Sequence, residues 1–186
     1  MVLTTLASTR IRREIQEVFE SRELTECNIE LDISCSDLNS FKARIGGPPD
    51  TVYEGGLFAV EVSIPDNYPF APPEVRFETK IWHPNISSVT GAVCLDILKD
   101  QWAAALTLRT VLLSVQALLS SPEPDDPQDA VVAGQYKSFK ETFDSTARFW
   151  TARHAGGTAN LPEYSSKLRK LMDMGFKEEA GVVALS

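Results

Sequence analysis

The chain has 186 residues, of which 43% are hydrophobic and 24% charged, and this composition is typical of one globular domain with a small appendage. Its net charge is −8, and an acidic chain lacks the clustered Lys and Arg that phosphate contacts need, so we expect no nucleic-acid partner. We also expect no membrane partner, because no apolar run approaches the roughly 20 residues that span a bilayer.

The first half of the chain predicts one helix followed by four strands. Apolar residues recur at helical spacing over residues 4–20 and predict an amphipathic N-terminal helix. Short apolar or alternating runs, separated by Gly- and Pro-rich turns, then predict strands over residues 27–35, 41–46, 57–64 and 75–77. Because the four strands follow one another directly, we expect a four-stranded antiparallel meander sheet.

The second half of the chain predicts helices. Residues 81–104 show no periodicity and are expected to form a long irregular loop, which in a compact domain is usually functional. A strongly apolar central long helix follows over residues 106–119, and then two C-terminal helices over residues 128–136 and 139–154. The fold class is therefore α+β, with a small all-α tail.

The most informative segment surrounds Cys94 in the long loop. Pro84 fixes its own φ and biases the preceding His83 away from helical conformation, so the His83-Pro84-Asn85 segment predicts a rigid turn. The Asn85 amide supplies two N–H donors without charge. A thiol and a neutral donor are the minimum for acyl transfer, which needs a nucleophile and a group that holds an oxyanion. No general base is evident near Cys94 in the sequence.

The cysteine pattern indicates the cellular compartment and which bound groups to expect. Cys27, Cys35 and Cys94 are odd in number and include no CxxC pair, so the spacing fits neither a zinc site nor a disulfide framework. We interpret Cys27 and Cys35 as buried small hydrophobic residues. Reduced thiols favour the cytosol or the nucleus, and we expect no bound metal and no cofactor.

Several motifs occur together in one order. His83-Pro84-Asn85 and Cys94 follow a Pro-rich segment at residues 68–73, and Pro-Asp-Asp-Pro stands at residues 124–127 after the central helix. In these features the chain resembles a ubiquitin-conjugating enzyme. A second segment, with Met174-Gly175-Phe176 between two helical runs, resembles a ubiquitin-associated domain. This pairing is similar to the huntingtin-interacting 25-kilodalton type, and it implies a catalytic domain over 1–155, a linker over 156–161 and a partial ubiquitin-associated domain over 162–186.

The resemblance implies an activity. Such an enzyme receives ubiquitin as a thioester from an activating enzyme, which consumes the ATP, and passes it to a lysine amine. The related enzymes build polyubiquitin chains that target proteins to the proteasome. In the family pattern Asp126 lies near the thioester, Asp96 is a second candidate at the gate of the site, and Asn85 stabilises the oxyanion or orders the active-site loop. His83 is expected to be structural.

The resemblance also implies docking surfaces for partner enzymes, with the chain itself a monomer. Arg10 and Arg13 match first-helix positions that meet the activating enzyme, although a solvated helix face is an equal alternative. Phe70 and Ala104 match the surface that docks ubiquitin ligases, which we expect to be of the RING type. The family usually carries proline where Ala104 stands, which leaves the choice of ligases open.

Two further sets of residues are implied to contact ubiquitin. Leu113 and Ala117 lie on the long helix over which the family folds the donor ubiquitin, although Leu113 could equally be core. Met174 and Phe176 match the binding loop of the ubiquitin-associated domain. The tail shows helical patterns over residues 163–172 and 177–186 but no third helix, so we expect a truncated domain that binds ubiquitin poorly, which a titration with free ubiquitin would test.

Two other function classes remain open, the first from the same resemblance and the second from the residues themselves. The first is a ubiquitin-binding variant of the same fold without activity, which would typically lack the cysteine at position 94. The second is a cysteine hydrolase that uses Cys94 with His83 or His154, which requires a histidine–carboxylate pair at the thiol. His83 is constrained before Pro84, and His154 is predicted at the end of a helix, so neither position favours this class.

Overall fold

The computed structural model describes residues 5–32, 38–158 and 161–185. In chain order its elements are α1 (Thr5–Glu20), α2 (Arg22–Glu26), β1 (Ile29–Asp32), β2 (Ser40–Gly46), β3 (Leu57–Ser63), β4 (Glu74–Phe77), α3 (Leu108–Ser120), α4 (Ala130–Ser138), α5 (Lys140–His154), α6 (Pro162–Asp173) and α7 (Glu178–Ala184).

The four strands form one antiparallel sheet in the order β1-β2-β3-β4, which confirms the predicted meander. Alternation sets the buried face, since Phe41, Ala43 and Ile45 of β2 are buried while the residues between them are exposed. The helix α3 begins after Thr107, whose side chain accepts a hydrogen bond from the Thr110 N–H, and it buries six apolar side chains.

The first strand begins later than the sequence predicted. Residues 22–26 form the short helix α2, which Ser21 caps and the buried Leu24 anchors, and Asn28 then takes a left-handed φ of 55°. Cys27 is consequently the C-cap of α2 rather than a strand residue, and it is half-buried rather than fully buried. Residues 33–37 of the predicted strand, including Cys35, lie outside the described residues.

A buried carboxylate joins α1 to two other parts of the fold. Glu14 is fully buried and accepts hydrogen bonds from Arg10 Nε at 2.6 Å, from the Tyr68 hydroxyl at 2.6 Å and from the Leu108 N–H at 2.9 Å. Arg10 also donates to the Leu106 carbonyl at 3.0 Å. Burial and the hydrogen bond to Glu14 raise the pKa of Tyr68. This cluster fixes α1, the Pro-rich turn and the start of α3 relative to one another.

The two tail helices pack against α5. The Tyr164 ring of α6 lies 5.0 Å from the Phe149 ring of α5, and Arg153 of α5 pairs with Glu178 of α7. Leu168 of α6 and Val182 of α7 are both buried. The predicted linker is partly outside the described residues, at positions 159 and 160.

Two kinds of feature are absent from the residues that the structure describes. Among those residues, no helix combines the length and the apolar character that crossing a membrane requires. In the same residues, no three His, Cys, Asp or Glu side chains come together as metal ligands.

Replacing Glu14 with Ala should strongly destabilise the fold, because it leaves the donors of the partly buried Arg10 and of the buried Tyr68 and Leu108 without their shared acceptor. Breaking a buried pair in this way costs about 3–5 kcal/mol in the free energy of unfolding, which urea denaturation would measure. The matched control is Glu17→Ala on the same helix, whose side chain is 47% exposed and lies 3.7 Å from Arg13. We expect the control to change the free energy by less than about 0.5 kcal/mol. Equal losses in both variants would contradict the role given to Glu14.

Candidate active site

His83 is a structural part of the turn that precedes Cys94. Its ring is fully buried, Nε2 donates to the Leu118 carbonyl at 3.0 Å, and Nδ1 accepts the Asn85 N–H at 3.0 Å. This pairing assigns the neutral tautomer with its proton on Nε2. Burial lowers the pKa of His83 to about 4. With both ring nitrogens bound to backbone groups, His83 is not available as a base for the thiol.

Asn85 uses its whole side-chain amide to hold the loop that follows α3. Its Nδ2 donates to the Glu123 carbonyl at 2.8 Å and to the Asp126 carbonyl at 2.9 Å, and its Oδ1 accepts the Glu123 N–H at 2.8 Å. Asn85 is 1% exposed. Both amide protons are therefore bound to backbone carbonyls, and the arrangement places Asp126 beside the turn.

Residues 91–94 form a strand-like arm that carries Cys94 and is held at both ends. Gly91 has φ 74°, and its carbonyl accepts the Phe77 N–H at 2.9 Å. A Cβ at this position would lie 1.9 Å from the Phe77 carbonyl oxygen, so the close approach of the two backbones requires glycine. At the other end, the Cys94 N–H donates to the Asn85 carbonyl at 2.8 Å. The arm thus connects the edge of the sheet to the turn at Asn85.

The Cys94 thiol lies between a cation and an anion. Lys99 Nζ is 2.9 Å from Sγ, and Asp126 Oδ2 is 3.4 Å from Sγ. The hydrogen bond to Cys94 raises the pKa of Lys99 and outweighs the lowering by burial, while the charges of Cys94, Asp126 and Asp100 add smaller increases. Cys94 is 5% exposed.

A groove of about 510 Å³ opens beside the thiol and brings together several predicted site residues. Its lining includes Cys94, Asn85, Asp96 and Asp126 together with Ser114 and Ala117 of α3. Asp96 is exposed and accepts the Ile97 N–H on Oδ1 at 2.6 Å, so its carboxylate faces its own turn. Leu113 is partly buried and packs against the core.

The residues predicted to dock a ligase lie on the Pro-rich turn and on the loop after Cys94, which are joined by a hydrogen bond. Phe70 is 73% exposed. Trp102 Nε1 donates to the Pro69 carbonyl at 2.8 Å, and the Trp102 ring lies 5.9 Å from the Tyr68 ring. Ala104 follows in the same loop and is half-buried. The Pro-rich turn and the loop after Cys94 therefore form one surface.

The remaining predicted partner residues lie elsewhere. Arg13 is exposed on α1, whereas Arg10 is held in the Glu14 cluster and is 20% exposed. Met174 and Phe176 are 73% and 53% exposed in the turn between α6 and α7. Their contacts with partner proteins stay predictions.

Sequence reasoning missed two residues that the site uses. Lys99 stands five positions after Cys94 in a loop without periodicity, so no pattern indicated that its amine reaches the thiol. Trp102 was missed in the same way, although an aromatic residue with a polar N–H in a functional loop is a usable signal. His154, the other histidine, lies beside the Trp150 ring at 5.4 Å near the end of α5.

Comparison with known proteins gives one consistent answer. Residues 10–151 match the family model described as ubiquitin-conjugating enzyme. The human ubiquitin-conjugating enzyme E2 K is 57% identical over 99% of this chain and 92% of its own length, and the Drosophila melanogaster ubiquitin-conjugating enzyme E2-22 kDa is 54% identical over the same shares. The solved E2 domain of a Toxoplasma gondii ubiquitin conjugating enzyme has a TM-score of 0.73 and 44% identity, and the match covers 80% of this chain and 99% of that one.

Because burial lowers the pKa of His83 to about 4, this ring should stay neutral while an exposed histidine titrates near 6.5. Between about pH 4 and 6.5 the unfolded chain then binds more protons than the folded chain. The free energy of unfolding should therefore fall as the pH is lowered through this range. The expected decrease from His83 is about 2 kcal/mol between pH 7 and 5.

An NMR titration of the imidazole signals would measure the pKa of His83. The variant His154→Gln would serve to assign the signals to the two rings. A His83 midpoint near 6.5 would contradict the buried neutral tautomer.

Proposed function

Because the chain belongs to the ubiquitin-conjugating enzyme family, we propose that Cys94 is the residue that accepts ubiquitin as a thioester and passes it to a lysine amine. The observation that carries this proposal is the position of the Cys94 thiol, which lies between Lys99 and Asp126 at the edge of a groove. The acceptor is a lysine of a substrate protein or of another ubiquitin.

The first step, thiol exchange, needs little from the protein. Incoming ubiquitin is already a thioester on the activating enzyme, so the exchange is nearly balanced and depends on the thiolate fraction of the attacking thiol. The Lys99 ammonium lies 2.9 Å from Sγ, where it can pair with the thiolate that takes part in the exchange. This explains why a site without a histidine base can be loaded.

The second step, aminolysis, is harder, because a free lysine has a pKa of about 10.4 and arrives protonated. Desolvation in the groove lowers the pKa of the incoming amine, and the Asp126 carboxylate beside Sγ can orient it and take its proton. Asp96 lines the same groove, and we assign it a gating role at the entrance. The displaced thiolate returns to its contact with Lys99.

We assign Asn85 to ordering the active-site loop. Its two amide protons already bind the Glu123 and Asp126 carbonyls, so it acts on the reaction by holding Asp126 in place. An oxyanion role would require one of these hydrogen bonds to be exchanged during the reaction. The loop role needs no such change.

Three partner proteins would contact different surfaces of this chain. The donor ubiquitin would lie over α3 at Leu113 and Ala117, a RING-type ligase would dock at Phe70 and Ala104, and the activating enzyme would meet the exposed Arg13. We propose that the products include polyubiquitin chains that target proteins to the proteasome. We place the reaction in the cytosol or the nucleus, because it needs a free thiol. We propose that the chain acts as a monomer.

The thioester can be tested directly with activating enzyme, ubiquitin and ATP on a non-reducing gel. We expect an adduct one ubiquitin heavier that disappears with a thiol reductant, is absent in Cys94→Ala, and becomes resistant to reductant in Cys94→Ser, where an oxyester replaces the thioester. Cys27→Ala is the matched control and should retain the adduct, because Cys27 lies at the end of α2. A full adduct in Cys94→Ala would refute the assignment.

Asp126→Asn should slow the transfer to lysine more than the loading of Cys94. Its carboxylate acts on the amine, so a single-turnover discharge of the preformed thioester to free lysine should slow by roughly 10²-fold. Asp125→Asn is the control, because the Asp125 side chain is 92% exposed and pairs with Lys137. If both variants discharge at the wild-type rate, Asp126 has no part in aminolysis.

A further inference from the structure

The contact between Lys99 and Cys94 has a second chemical consequence. The Nζ–Sγ distance of 2.9 Å is as short as an N–H···O hydrogen bond, although sulfur is a larger atom than oxygen. The backbone of Lys99 is fixed in this position, since its N–H donates to the Asp96 carbonyl at 2.9 Å and its carbonyl accepts the Trp102 N–H at 3.2 Å. The backbone of this turn thus places the Lys99 amine within reach of the Cys94 thiol.

The same surroundings favour oxidation of the sulfur by small oxidants. A thiolate is the reactive form of cysteine, and an adjacent ammonium group increases its share. Cys94 lines a groove of about 510 Å³, so a small hydroperoxide can reach Sγ. The nearest amine to receive the oxidised sulfur is that of Lys99.

We propose that hydroperoxides join Cys94 and Lys99 through a single oxygen atom, in a nitrogen–oxygen–sulfur bridge that reversibly blocks the thiol. In the first step the Cys94 thiol and one hydrogen peroxide give the sulfenic acid and water. In the second step the sulfenic acid, the Lys99 amine and a second hydrogen peroxide give the bridge and two waters. Sulfur and nitrogen lose four electrons in total, and the two peroxides gain them.

The neighbouring carboxylate can manage the protons of the second step. The amine must be unprotonated to react, and the hydrogen bond to Cys94 that raises the pKa of Lys99 weakens when a neutral sulfenic acid replaces the thiolate. Asp126 Oδ2 lies 3.4 Å from Sγ and can accept the proton of the ammonium group or of the sulfenic acid. The three groups needed for bridge formation are therefore adjacent before any oxidant arrives.

The bridge would act as a switch on ubiquitin loading. It occupies the sulfur that forms the thioester, and it protects that sulfur from the irreversible sulfinic acid. Excess thiol reverses it, because four thiol equivalents return the amine, the Cys94 thiol and one water while forming two disulfides. Loading would therefore stop under peroxide and resume under reducing conditions.

The test uses the full chain treated with hydrogen peroxide, followed by intact-mass and peptide mass spectrometry without ubiquitin. We expect a species that has gained one oxygen and lost two hydrogens, with the peptides of Cys94 and Lys99 joined, and its complete return to the starting mass with dithiothreitol. In Lys99→Arg this species should be absent and the irreversible sulfinic acid should accumulate, while Lys170→Arg, on the surface of α6, should behave as the wild type.

Other masses would overturn the proposal. A gain of oxygen without loss of hydrogen in the wild type shows sulfenic or sulfinic acid alone, and a loss of two hydrogens without oxygen shows a disulfide or a direct sulfur–nitrogen bond. An unchanged bridge mass in Lys99→Arg would assign it to another amine. Because these readouts need no ubiquitin transfer, their failure leaves the role of Cys94 as the thioester residue standing.

Discussion

The site depends on one buried amide. Asn85 binds the Glu123 and Asp126 carbonyls and the Glu123 N–H, and its own carbonyl accepts the Cys94 N–H. Four backbone groups from two separate segments therefore meet at one residue. Each such group left buried without a partner would cost about 1–3 kcal/mol, so loss of the amide would release the loop that carries Asp126. The positions of nucleophile and carboxylate both follow from this residue.

This constraint suits a reaction whose substrate arrives activated. A cysteine protease generates its nucleophile with a histidine base, whereas a ubiquitin-conjugating enzyme exchanges its thiol with an existing thioester, and the remaining difficulty is the protonated amine. The family therefore needs positioned charges more than a proton relay, and the site has them in Lys99 and Asp126. His83, which a hydrolase would use as its base, instead holds the turn with both ring nitrogens.

A second polar centre arranges the surfaces for partner proteins. Glu14 joins α1, which carries Arg13, to the Tyr68 hydroxyl and to the start of α3. The Pro69 carbonyl in turn binds Trp102 in the loop after Cys94. Phe70 is therefore exposed on a turn that is fixed from both sides, which allows a large apolar side chain to remain in solvent without loosening the fold. Arg10 takes part in this cluster, which explains why it is less exposed than Arg13.

The sequence by itself determined most of the helices and strands and indicated a candidate nucleophile. Periodicity marked α1, the strands and α3 to within a few residues, because side chains alternate on a strand and repeat every turn on a helix. The Pro84 turn and Cys94 were visible as local motifs, whereas α2 was missed because five residues carry too little periodicity. Only the tertiary structure decided what surrounds the thiol. Asn85 reaches across 38 and 41 positions to Glu123 and Asp126, and Lys99 reaches Cys94 from a loop without a repeat. Such contacts are set by how the long loop folds onto α3 and the segment after it, and no local backbone preference encodes that path.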